Sequence, residues 1–139
     1  MNFEECIRKN LIRENNDAKE WIGNELNAAD KFLVQAKVIL NAEQYEAAEI
    51  IAYTSIFHLA RALLYSKGYS EKSHYCLFAA MDELFGKELG ELGRKAHYLR
   101  EARHIAVYGG KTVSKEEAGH AVSLAEDFRK ATEKILRKK

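Results

Sequence analysis

The stretch EIIAYTSIFHLARALLYS, running from Glu49 to Ser66, decides the fold. It is apolar on nearly every face for about five helical turns. Such a helix is surrounded by other helices rather than laid on a surface. The polar residues inside it, Tyr53, Thr54, Ser55, His58 and Arg61, must then find partners on neighbouring helices.

On either side the chain continues to read as helix. Phe3–Asn10 is a short helix with Phe3, Ile7 and Leu11 on one face, and Asn15-Asn16-Asp17 stops it. Asp17 is the expected N-cap of the next helix. There Ile22, Leu26, Ala29, Leu33, Ala36 and Leu40 recur at steps of three and four, which makes one continuous face. A break over Asn41 to Gln44 leads to an antiparallel neighbour, the central helix from about Tyr45 to Lys67. Gly68 is its left-handed stop. Tyr69-Ser70-Glu71-Lys72 reads as a polar connection, and Ser73–Phe85 as a helix with Leu77, Met81 and Leu84 on one side. Gly86 to Gly93, with three glycines, reads as the most flexible stretch, a loop or a poorly formed turn. Arg94 to Tyr108 is helical up to Gly109-Gly110, and Ser114-Lys-Glu-Glu117 is a capping-box start. The last helix turns Ala118, Val122, Ala125, Phe128, Thr132 and Ile135 inward, and Arg137-Lys-Lys139 is a solvated tail that complements the helix dipole.

The expectation is an all-α, up-and-down bundle of four main helices with one or two short ones, forming a single domain over residues 1–139. The chain has no proline and no alternating strand pattern. Its net charge of +1 lacks the basic excess of a duplex-DNA binder. No signal-peptide pattern stands at Met1, and no apolar run approaches ~20 residues, so a cytoplasmic protein off the membrane is expected. Cys6 and Cys76 read first as two free buried thiols and second as a disulfide. The five histidines never take an H-x-x-x-H spacing, and no phosphate-binding glycine loop or nucleophile elbow is present. Neither a metal nor a cofactor is expected.

Three places carry more than packing. Arg61, with His58, fits either a structural ion pair with a glutamate from another helix or a guanidinium lining a phosphate cleft. Ser73-His74 opens a helix, where free N–H groups attract anions and where a plain cap is the simpler reading. The segment Leu99–Gly110 holds Arg100, Arg103, His104 and Tyr108; Arg100, His104 and Tyr108 form one stripe, with Arg103 on a neighbouring face. Arginine for charge, histidine for proton transfer and tyrosine for stacking suit a phosphodiester. Cations near a helix C-terminus are also simply stabilising.

Taken together, these places resemble the HEPN family, the higher eukaryote and prokaryote nucleotide-binding domains, in its small stand-alone prokaryotic branch. The resemblance rests on Ala29…Ala36-Lys37 leading to Tyr45-Glu-Ala-Ala48, then Ala52-Tyr53…Phe57-His58-Leu-Ala-Arg61-Ala62-Leu63-Leu64-Tyr65…Lys67-Gly68. Lys72-Ser73-His74 and Arg103-His-Ile-Ala106-Val-Tyr108-Gly109 complete it, so that it spans roughly Ala28 to the C-terminus. It implies a helical bundle that pairs as a homodimer and binds a nucleotide or RNA. It also implies a minimal nucleotidyltransferase as partner in a toxin–antitoxin-like pair. In active members an arginine, a polar residue and a downstream histidine cut RNA without metal. Here Arg103 takes the arginine position, His104 the polar one, and Tyr108 stands where the histidine belongs. An unperturbed tyrosine, with a pKa near ~10, is a poor base at neutral pH. The resemblance therefore points first to a binding module that uses Arg61, His74, Arg100 and Arg103. Second comes a metal-independent ribonuclease using Arg103 with His104 or Tyr108, and third a non-catalytic helical scaffold. In the expected dimer the bundles meet along the helix carrying Arg103 and the central helix, which brings two copies of Arg103 and Tyr108 to one cleft.

Overall fold

The computed structural model describes residues 1–138, so Lys139 of the expected tail lies outside the described residues. Arg137 closes the last helix and Lys138 caps it.

The elements follow in the order α1 (Phe3–Arg8), β1 (Ile12–Glu14), a 3₁₀ turn (Ala18–Trp21), α2 (Ile22–Asn41), α3 (Tyr45–Ser66), β2 (Tyr69–Glu71), α4 (His74–Leu89), α5 (Glu91–Tyr108) and α6 (Lys115–Arg137). The chain is an all-α bundle, with α3 as the axis that α2, α4, α5 and α6 pack around. In α3, Ala52, Ile56, Leu59, Ala60 and Leu63 are fully buried. Burying each leucine or isoleucine side chain is worth about 1.5–3 kcal/mol. By length and composition α3 would also suffice to cross a membrane, although no unbroken apolar run suggests it. Since 61% of its most apolar window is buried within the bundle, α3 serves as the core helix.

The close approach of α2 to α3 follows from small side chains. Ala29 and Ala36 are buried on α2, and the Ser55 hydroxyl donates to the Ala29 carbonyl at 2.8 Å. His58 reaches Glu25 of α2, and Arg61 reaches Glu25 and Glu71. Of the polar residues expected to seek neighbouring helices, Thr54 instead bonds the Ile50 carbonyl of its own helix at 2.9 Å. All six residues expected to face inward from α6 are buried, and the capping box at Ser114 and Glu117 is complete. Gly68 stands past the end of α3 with φ +81°.

Four expectations are corrected. The Tyr69–Lys72 connection contains strand β2, which pairs antiparallel with β1 in the register Ile12↔Glu71, Arg13↔Ser70, Glu14↔Tyr69. Two three-residue strands are too short to show a period of two in sequence. The Gly86–Gly93 loop is instead helix on both sides of one break, since α4 runs to Leu89 and α5 starts at Glu91. Only Gly90, at φ +54° and ψ −127°, leaves the helical path decisively, a conformation that glycine adopts without strain. Asp17 makes no side-chain cap; a 3₁₀ turn precedes α2, and Asn15 Oδ1 accepts the Asp17 N–H instead.

The cysteines are the fourth correction. Cys6 and Cys76 form a disulfide, with Cα atoms 5.8 Å apart. The β1–β2 ladder folds the N-terminal segment back along α4 and brings together residues 70 apart in sequence. Nothing in the local sequence of either cysteine signals that pairing.

Candidate functional site

Three elements build one cluster of side chains. α3 contributes Tyr53 and Phe57, the first turn of α4 contributes His74 and Tyr75, and α5 contributes Arg100 and Arg103. Ser73 caps α4 by accepting the Cys76 N–H at 3.2 Å, and this cap fixes where His74 leaves the helix. The disulfide at Cys76 ties the same turn to α1.

The cluster is layered. The His74 ring stacks on Phe57 with centroids 4.3 Å apart, and its Nδ1 lies 2.9 Å from the Tyr53 hydroxyl. The Arg103 guanidinium sits over the Tyr53 ring at 5.2 Å, and that of Arg100 over Tyr75 at 5.5 Å. Cation–π contacts of this kind hold a guanidinium in place while leaving its edge donors free. The Nε atoms of both arginines are buried and have no hydrogen-bond partner. Among the described residues neither guanidinium reaches a carboxylate. A pair of positioned cations with unmet donors is a receptor for an anion.

The charges reshape their neighbours. Burial pushes the Tyr53 hydroxyl up to about 12, even though Arg103 and Arg100 pull it down. The hydroxyl therefore keeps its proton at neutral pH and shares a hydrogen bond with Nδ1 of His74. Partial burial, then Arg103, Arg100 and Arg61, hold the His74 pKa below its ordinary value. His74 is thus a neutral imidazole surrounded by positive charge.

The other sites expected from sequence divide. Arg61 is an ion pair: its Nε lies 3.2 Å from Glu71 and a terminal nitrogen 3.5 Å from Glu25. Burial works against its charge, but Glu71 and Glu25 outweigh that and raise its pKa. It remains close enough to add to the field on His74. His104 and Tyr108 stand together on the outer face of α5, rings 4.8 Å apart, and Tyr108 is 71% exposed. Exposed Ile105 and Val107 flank them. Sequence reasoning left out Tyr75, and took Tyr53 for a core residue in need of a partner. The signal for Tyr53 was there, since a tyrosine in a helix enclosed on all sides must place its hydroxyl somewhere.

Comparison with known proteins follows the same line. The model of the HEPN domain matches residues 19–135. A Thermotoga maritima protein named UPF0332 protein is 32% identical over 112 residues, covering 78% of this chain and 85% of the relative. A Methanocaldococcus jannaschii protein named "Putative toxin" is 30% identical over 132 residues, covering 88% of this chain and 96% of the relative. With a family model matching most of its length and an all-helical bundle to go with it, the chain belongs to the HEPN domain family.

Proposed function

We propose that this chain is a nucleotide- or RNA-binding HEPN module that works as a homodimer beside a minimal nucleotidyltransferase in a toxin–antitoxin-like pair. The observation that carries this is the pair of arginines over tyrosine rings, whose buried Nε donors meet no acceptor within the chain. A phosphate would meet the remaining donors of the two guanidinium groups, and a base would have the exposed ring of Tyr75 beside it. The name of the archaeal relative supports a toxin-like setting. Tyr108 replaces the histidine of the nuclease motif, so binding stands ahead of cleavage.

The test is fluorescence anisotropy with labelled single-stranded RNA, in competition with free nucleotides. Arg103→Ala should weaken binding by about ten- to a hundredfold, the size of a lost hydrogen bond to charge. The melting temperature should barely move. Unchanged binding would sink the reading, and a lowered melting temperature with no effect on binding would leave only a scaffold.

A second reading, a metal-independent ribonuclease, draws on the His104–Tyr108 ring contact one turn beyond Arg103. Its test is RNA incubated with the protein in chelator. Cleavage lost in Arg103→Ala, and in His104→Ala or Tyr108→Phe, would establish it.

A further inference from the structure

The face of α5 next to Arg103 borders a second hollow. Between α5 and α6 runs a cleft of about 470 Å³, walled by Leu99, Ala102, Ala121 and Leu124, with the exposed Tyr98 at its edge. Its size falls within the range of small-molecule sites. Glu49 of α3 lines it too.

Glu49 is out of place in an apolar wall. It is only 2% exposed, and its Oε1 has no hydrogen-bond partner. Burial raises its pKa, Glu117 and Glu46 raise it further, and Lys111 alone works the other way. A carboxylate taken out of water without a partner is costly, and a bound cation removes that cost.

We infer that the α5–α6 cleft is a binding site for a small organic cation, an ammonium or guanidinium on a short aliphatic chain. The charged end would donate to Oε1 of Glu49, and the chain would lie along Leu99 and Leu124. The walls decide between ligand classes. Three carboxylates, Glu49, Glu117 and Asp127, line the cleft against one lysine, Lys95, with His120 beside them, so the balance of charge favours a cation over an anion. A metal ion would not be held, because among the described residues no three His, Cys, Asp or Glu side chains come together as ligands. A neutral apolar molecule would leave Oε1 unpaired. The inference is separate from the arginine cluster, because the two sites share α3 and α5 but no side chain.

Titration calorimetry at neutral pH with agmatine and n-butylammonium, and with n-butanol as the neutral isostere, tests it. Both cations should bind and n-butanol should not. Glu49→Gln should weaken cation binding by about tenfold or more, the size of a charged hydrogen bond. Ala102→Leu, which fills the cleft without touching Glu49, should do the same and carries the test if Glu49→Gln does not fold. Equal binding of n-butanol, no binding of either cation, or cation binding unchanged in the variants would overturn the inference. Binding that appears only in Lys111→Ala would also overturn it, by showing that the chain supplies its own cation.

Discussion

His74 and Glu49 are two titratable side chains whose surroundings oppose their charged forms, and each makes stability depend on pH. For His74 the folded pKa lies below the unfolded value of 6.5, because of partial burial and then Arg103, Arg100 and Arg61. Stability tied to the neutral imidazole is therefore present above about 6.5 and drains away as pH falls toward the folded pKa. An NMR titration of His74 in the free protein should give a midpoint below 6.5, moving upward when a phosphate ligand adds negative charge. A midpoint at or above 6.5 without ligand would show that the arginines do not face it. Glu49 runs the other way: its folded pKa is raised, so stability falls as pH rises from about 4.5 through the folded pKa. Glu49→Gln should consequently raise the melting temperature at pH 7 in the absence of ligand, and have little effect at pH 4. No gain at pH 7 would mean that the carboxylate already has its cation. His74, Arg100 and Arg103 were legible in sequence as polar groups at a helix start and a helix end, although a plain cap and the helix dipole account for such groups equally well. Glu49 was not: it opens the quoted apolar stretch, yet it did not stand among the polar residues expected to seek partners. Only the placement of α6 reveals that it is covered.

Element boundaries set how well the cluster is held. The arginines lie on α5, which buries only Gly93, Ala96 and Leu99, so its seat depends on how it is joined to α4. That joint is Gly90 at φ +54°, with no atom within 4 Å of where a Cβ would stand. Gly90→Ala would meet backbone strain rather than a clash, at about 1–2 kcal/mol. It should lower the melting temperature and weaken RNA binding together, since any relief of the strain turns α5. Binding unchanged in a clearly destabilised variant would show that α5 is held by its neighbours alone. By contrast Ser114→Ala, which removes half of the capping box of α6, should cost about 1 kcal/mol and leave binding untouched. Long helices, with their caps and inward faces, could be read from periodicity because each repeats its signal over several turns. The three glycines of Gly86–Gly93 pointed to a loop, but two of them sit inside helices. The β1–β2 ladder and the Cys6–Cys76 bond join distant segments, and a local pattern carries no information about such pairing.

At the scale of the whole molecule, charge and exposed apolar surface point the same way. A net charge of +1 gives little general attraction for a polyanion, so binding must come from the few arginines that are free to act. Ile105, Val107 and Tyr108 stand exposed at the end of α5, and the proposed homodimer would pair along this face. A dimer joined there would set two arginine pairs along one strand of RNA, whereas a dimer joined elsewhere would offer two separate sites. Salt dependence separates the cases. For single strands the slope of log K against log salt is about −0.7 per phosphate neutralised. Two arginines give a slope of about −1.4 and four give about −2.8. The composite site predicts the steeper slope, with one RNA per two chains by sedimentation. Ile105→Asp should split the dimer and return the slope to the shallower value with Arg100 and Arg103 still in place. A slope near −1.4 in a wild-type dimer, or an Ile105→Asp variant that stays dimeric, would place the contact between chains on another face.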